Sequence, residues 1–250
     1  GSWLAGRIMT AVGTRHAMIY GTIVLILLLP MISLASTVWA LLLVMGAIML
    51  TDVIVDVAMN IQGSNLSARR STPVMNRLHG LWSIGSVLGG LLAATMAALA
   101  IPLQWHLIGA AALMAMALWY IGGGLLTSDE TIPDTAETKS AEQSTVRMPV
   151  SLWVFAVLGG VTFVPEMVGS DWSPFRLSDD LNAGPGLSGM GFVAFTSGMV
   201  AGRLAGDWAS AKLGQERLLK YAVFVAVTGF GIACLIDHAA LVFIGLGLAA

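Results

Sequence analysis

The strongest constraint on this chain is a succession of apolar runs, each about as long as a bilayer's hydrocarbon core is thick. A spanning helix needs about 20 mainly apolar residues. Such runs cover residues 17–36, 38–59, 81–100, 107–126, 150–169, 187–205 and 218–236, and an eighth starts near Ala239. The chain is 57% hydrophobic and only 10% charged. Soluble domains carry roughly 25% charged residues, so folding in water as a monomer is excluded. The pattern predicts an all-α polytopic membrane helix bundle, with the lipid bilayer as its first partner.

Charge gives an independent check on those spans. If each run crosses once, residues 1–16, 60–80, 127–149 and 206–217 fall on one side. That side and the helix ends next to it receive Arg7, Arg15, Arg69, Arg70, Arg77, Lys139, Arg147, Arg203, Lys212, Arg217 and Lys220. Only Arg176 falls on the other side. Cations concentrate in cytoplasmic loops, so the crowded side is expected to be cytoplasmic. One missed or invented span would have scrambled the split.

Other function classes drop out. Twelve Lys and Arg spread over 250 residues form no basic patch, so no nucleic-acid partner is expected. The single cysteine, Cys234, excludes an intramolecular disulfide framework or a cysteine-cluster metal site. It is expected to be a small buried hydrophobe. No metal-ligand spacing and no nucleophile–base arrangement stands out, and Gly122-Gly123-Gly124 lacks the Lys-Ser/Thr of a phosphate loop. No cofactor and no enzymatic activity are expected. The N-terminus lacks the long apolar core of a signal peptide. The chain is expected to be a piece of a longer protein, begun in mid-structure and stopped within a helix.

Two segments repeat. Gly1-Ser-Trp-Leu-Ala-Gly6-Arg7 leads to Gly13-Thr-Arg15, and Gly202-Arg203-Leu-Ala-Gly206-Asp207-Trp leads to Gly214-Gln-Glu-Arg217. Aligning Gly13 with Gly214 gives an offset of 201 residues. Each time a helix ends in small residues, a short basic loop follows, and another helix begins. Parallel repeats joined by a polar linker are a known plan for transporters. The expected organisation is an N-terminal half over residues 1–126, a cytoplasmic linker over 127–149, and a C-terminal half over 150–250. The linker is acidic and poor in large apolar groups. Residues 170–185 read as a loop on the opposite side, and Asp179, Asp180 and Asn182 read as solvated.

The repeat resembles the signature loop of the major facilitator superfamily, which has the form G-x-x-x-D-R-x-G-R-R and occurs once in each half. The second copy fits through Gly202, Gly206, Asp207, Gly214 and Arg217. The first carries Gly6 where the acidic residue usually stands. The resemblance implies a partial major facilitator fold: about helices 3–9 of twelve, with parts of 2 and 10. On that count residues 38–59 belong to helix 4. Two stretches, Asp56-Val-Ala-Met-Asn60 with His79-Gly80-Leu-Trp82, and Glu166-Met-Val-Gly-Ser-Asp171-Trp172, resemble an uncharacterised bacterial branch of inner-membrane permeases. That branch is distantly related to fucose–proton symporters, in which an acidic residue followed by Ala-Ala-Asn joins proton coupling. Asp56 and Asn60 match that acid and asparagine, and Met59 replaces an alanine.

Candidate functional residues follow. Asp52, Asp56 and Asn60 stand at i, i+4 and i+8, on one helical stripe. A carboxylate at mid-span costs about 2.5–3.5 kcal/mol on insertion scales, and intramembrane acids usually face the bundle interior or a wet cavity. The alternative is a structural hydrogen bond between helices. Asp56 and Glu166 are the candidates for proton coupling. Asn60, His79, Trp82 and Asp52 are the candidates for substrate binding. His79 serves equally as an interfacial anchor, and Trp82 as packing. Pro165 and Gly169 around Glu166 suggest a helix break lining a cavity, with Asp171 and Trp172 on the outer rim. Gly6, Arg7, Gly13, Arg15, Gly202, Gly206, Asp207, Gly214 and Arg217 form the gating loops. The glycine runs at Gly85, Gly89-Gly90, Gly122–Gly124 and Gly159-Gly160 are expected to be close-packing surfaces, and the 14 methionines mostly apolar filler.

The expected function is secondary active transport of a small polar solute, sugar-like or a related metabolite, coupled to protons by alternating access. A monomer is expected at full length. The alternatives are drug or metabolite efflux on the same fold, and a non-transporting membrane sensor or assembly protein. A further possibility is that the chain is inactive by itself.

Overall fold

The computed structural model describes residues 2–70, 74–126 and 150–250. The linker expected at 127–149 lies outside the described residues. Helix α1 runs Ser2–Leu34, α2 Val38–Arg70, α3 Met75–Ala98 and α4 Leu103–Ile121, closed by a tight turn at Gly122–Gly124. After Val150–Met167 (α5) comes a wide π turn, Val168–Trp172, then the short α6, Ser173–Phe175, and a second π turn, Arg176–Asp180. Helices α7, Pro185–Leu213, α8, Gln215–Leu235, and α9, Ala239–Ala249, complete the chain. No strand occurs among the described residues.

Among the described residues, five helices are long and apolar enough to cross a membrane: Ala5–Leu34, Val38–Arg70, Arg77–Ala98, Leu103–Gly124 and Gln215–Leu235. The all-α multi-pass architecture expected from hydropathy is therefore present. Helices α5 and α7 coincide with expected spans but fall outside that set. In α7 the reason is compositional: it is glycine-rich and carries Arg203, Asp207 and Lys212. Helix α9 is apolar but has only 11 residues.

The distribution of side chains is inverted relative to a soluble protein. The outside is greasy: Trp119, Tyr120 and Leu34 are 88%, 86% and 74% exposed. Alanine is the commonest buried apolar residue, and Gln62, Ser83, Ser173, Ser188 and Thr196 are buried as well. Hydrocarbon offers no hydrogen bonds, so hydroxyls must find partners inside the protein. Buried Ser173 Oγ has none among the described residues, but several others bond to their own helices. Thr51, Ser67, Ser83, Thr95, Thr196 and Thr228 each donate to the carbonyl four residues back, at 2.7–2.9 Å.

The described residues group into two compact units. One comprises the described residues within 2–78 and 102–126, the other those within 79–101 and 150–250. In the first, α1 packs along α2 and α4. In the second, α7, α8 and α9 surround a core of Leu177, Phe195, Ala233, Val242, Leu246 and Ala249. Small residues let these helices touch. The Gly198 position on α7 abuts the backbone of Gly247, and Gly229 on α8 abuts that of Gly245 on α9. Of the glycine runs expected to serve this purpose, Gly90 does so, against Phe192. Gly85, Gly89 and Gly160 face open space, and Gly122–Gly124 forms the turn after α4.

Two details overturn expectation. Residues 170–185 are not an open loop, because helical turns continue to Asp180 and only 181–184 are irregular. The acidic and proline content that suggested a loop is accommodated by the widened turns. Cys234 is exposed rather than buried; it sits in the last turn of α8, where only Ala233 beside it turns inward.

The repeat is visible in the backbone. Gly13 breaks α1 with φ 78° and ψ 158°, and Gly214 separates α7 from α8 with φ 76° and ψ 154°. The two positions aligned by the 201-residue offset thus share one unusual conformation. A side chain disfavours positive φ by about 1–2 kcal/mol. Gly214→Ala should therefore lower the apparent unfolding temperature of the detergent-solubilised protein. Gly231→Ala, in helical backbone with open space around it, should not. Equal midpoints would contradict a strained junction.

Candidate functional site

In the first unit the stripe predicted on α2 is formed. Asp52, Asp56 and Asn60 lie on consecutive turns of Val38–Arg70. Asn60 donates from its side-chain nitrogen to the Asp56 carbonyl at 3.0 Å, a bond within its own helix. Both carboxylates are exposed, and neither forms an ion pair among the described residues. Gly6 and Arg7 are exposed on α1. Arg15, half-buried, follows the break at Gly13 and lies at one end of a 510 Å³ groove between α1 and α4, which is otherwise lined largely by apolar side chains such as Ile19, Ile23 and Trp119.

Gln62, two residues past Asn60, was not singled out from the sequence. Its side chain is buried and joins three segments. Its oxygen accepts from the Leu126 backbone N–H at 3.0 Å. Its nitrogen donates to the Leu126 carbonyl at 2.9 Å and to Thr14 Oγ1 at 3.0 Å. One amide thus ties the lower part of α2 to the residue after the Gly13 break and to the residue just before the linker. Nothing local marks it, because its partners lie 48 and 64 residues away.

In the second unit His79 is exposed near the start of α3, and its carbonyl accepts from Ser83 Oγ at 2.9 Å. Trp82 is half-exposed, and the Arg203 guanidinium lies 5.6 Å from its ring centroid. Arg203 also donates from Nη1 to Ser83 Oγ at 2.6 Å. Within this unit, then, the structure brings Trp82 together with the signature segment on α7. Between the two helices lies a groove of 560 Å³ lined by Gly and Ala with Ser86 and Phe192. No predicted site residue lines it. Gly202 and Arg217 are exposed, Gly206 is half-buried, and the Asp207 side chain lies outside what is described.

Glu166 is half-exposed, one residue after Pro165 within α5. The break expected there takes the form of the π turn at Val168–Trp172. Ser170 donates to the Glu166 carbonyl at 2.8 Å and to the Asp171 carboxylate at 3.1 Å. Gly169 is buried against the ring of Phe195, which fixes this turn on α7. Trp172 is exposed and packs on Phe175 with ring centroids 5.7 Å apart.

The one cation expected on the far side has a structural role. Arg176 donates to the carbonyls of Ala233, Cys234 and Ile236 at 3.3–3.4 Å, and pairs with Asp237 at 2.6 Å and Asp180 at 3.0 Å. It supplies the positive charge that the exposed carbonyls at the end of α8 favour. The hydrogen bond to Asp237 pushes the guanidinium further above its already high range, so this cap keeps its charge at every working pH. Among the described residues no group of acids, histidines or cysteine has a metal-holding arrangement.

The described residues thus form a polytopic helical chain with a repeated glycine-centred junction and two carboxylates, Asp52 and Asp56, in an apolar helix. The sequence model of the Major Facilitator Superfamily matches residues 1–250, and the chain belongs to that superfamily. An uncharacterised MFS-type transporter of Yersinia pestis is 30% identical over 247 residues, covering 97% of this chain and 61% of that protein. An uncharacterised transporter of Sinorhizobium fredii is 24% identical over 177 residues, 70% of this chain and 45% of that protein. The chain thus spans less than two thirds of the length of these relatives. No solved structure gives a significant match.

Replacing Gln62 by Leu keeps its bulk but strands the Leu126 N–H and carbonyl. Leaving buried polar groups unpaired costs about 1–3 kcal/mol. Gln62→Leu should lower the unfolding midpoint clearly and Thr14→Val only slightly. Equal effects would contradict the three-way clamp.

Proposed function

We propose that the full-length protein is a secondary active transporter. It moves a small polar solute, sugar-like or a related metabolite, together with protons. It works by alternating access between two halves, residues 1–126 and 150–250, linked through 127–149 on the cytoplasmic side of a bacterial inner membrane. The observation that carries this is the pair Asp56 and Asn60 on an apolar helix long enough to cross a bilayer. Neither Asp56 nor its neighbour Asp52 is neutralised by a described cation. An acid in that position is costly, and its proton can be taken up and released as the cavity opens to either side. A permanently paired carboxylate would lose that freedom.

The roles follow from chemistry. Asp56 and Glu166 carry the proton. Asp52, Asn60 and His79 offer hydrogen bonds to solute hydroxyls, and Trp82 offers a ring face whose other business is the Arg203 cation. Gly13 and Gly214 serve as junctions at which helix pairs re-aim, within loops that include Gly6, Arg7, Arg15, Gly202, Gly206, Asp207 and Arg217. Asp171 and Trp172 stand at the outer rim. The concentration of cations on the loops assigned to the cytoplasm supports the orientation.

The test uses the full-length protein in proteoliposomes with a radiolabelled panel of sugars and sugar derivatives. For whichever solute the wild type accumulates under a pH gradient, Asp56→Asn should abolish gradient-driven uptake and retain solute exchange. Uptake by the variant with unaltered pH dependence would contradict the proposal.

A further inference from the structure

We infer that Arg203 is a breakable latch across the α3–α7 seam, a positioning residue that sets how readily the two halves part at their cytoplasmic end. The inference rests on the two-half reading above: α3 belongs to residues 1–126 and α7 to residues 150–250, so a side chain joining them joins the halves.

The seam has two unlike ends. At one, where α3 finishes and α7 begins, contact is dry and made by small residues. A Cβ at Gly186 would lie 2.5 Å from that of Ala98, and one at Gly189 would lie 3.2 Å from that of Ala94. Further along, Gly90 meets Phe192. Backbones this close are held by shape, and they tolerate a small rotation without losing contact. At the other end the link is polar. Arg203 Nη1 donates to Ser83 Oγ at 2.6 Å, and its guanidinium covers Trp82. Ser83 is 3% exposed and hands its own proton to the His79 carbonyl. The hydroxyl is therefore fixed as an acceptor toward Arg203. The 15 residues from Ser83 to Ala98 separate the two ends by about 22 Å along α3.

The geometry assigns different jobs to the ends. A hydrogen bond is lost within about 1 Å of stretching, so the Ser83 end is made or broken, whereas the Gly186 end can pivot. The choice of partner also matters. Toward α3, Arg203 meets a hydroxyl and a ring. A full ion pair in low dielectric would be hard to open once per cycle. A charged hydrogen bond with a cation–π contact holds a state about tenfold to a hundredfold, which a solute can overcome. The 560 Å³ groove runs alongside these contacts, from Ser86 to Ala97 on α3, with Gly189 and Phe192 of α7 on its other wall.

The test reads distance, not transport. Spin labels are placed at Leu81→Cys and Leu204→Cys, both well exposed, in full-length protein carrying Cys234→Ala in lipid nanodiscs. The wild type should show one dominant short distance. Arg203→Ala should raise the longer-distance population about tenfold or more, Ser83→Ala should raise it less, and Arg203→Lys should largely restore the short distance. If Arg203→Ala does not yield monodisperse protein, Ser83→Ala with Trp82→Leu removes both contacts from the α3 side and is read identically. An unchanged distribution overturns the latch even in a protein that transports. A failed uptake assay overturns the transport reading and leaves the distances standing.

Discussion

Everything in this fold depends on one property of hydrocarbon: it cannot hydrogen-bond. Each backbone amide in a spanning segment must be satisfied within that segment, which leaves helices as the form available to these apolar runs. The same rule governs the side chains. Serines and threonines turn back onto their own helices, and Gln62 finds two backbone groups and a hydroxyl. With no hydrophobic difference between lipid and apolar side chains, helices must adhere by close approach. That is the role of Gly198, Gly229 and Gly245. Fat side chains such as Trp119 and Leu34 are then left for the outside.

The constraint also makes exceptions informative. A charge retained in such an environment has to return something for its cost. Arg176 does so by capping α8. Arg203 reaches from a glycine-rich helix to a hydroxyl on another helix. Asp52 and Asp56 have no comparable structural partner among the described residues, which is why the transport reading rests on them. Membership of the Major Facilitator Superfamily agrees with that reading.

Much of the fold was legible because it is local. Apolar length marked the spans, and a 201-residue offset found two glycines whose backbone angles agree within a few degrees. The end of α2 was set too short, since it continues through polar residues to Arg70. Hydropathy sees only the portion matched to lipid, and helices run on into the interface. The π turns after Met167 were read as a loop because Asp, Pro and Gly mark irregular backbone without distinguishing a widened helix from a coil. The links of Gln62 and Arg203 were invisible for a simpler reason. Their partners lie 48 to 120 residues away, and no periodicity reports contacts at that range.

The central claim is that these helices cross the bilayer with the cation-rich segments on one face. It is tested most directly by thiol accessibility in full-length protein carrying Cys234→Ala. Single cysteines at Ser140, within the 127–149 linker, and at Ala183, between the last π turn and α7, are treated with a membrane-impermeant maleimide in right-side-out vesicles. The account predicts labelling at residue 183 and protection at residue 140, reversed in inside-out vesicles. Labelling of both positions from the same side would contradict it.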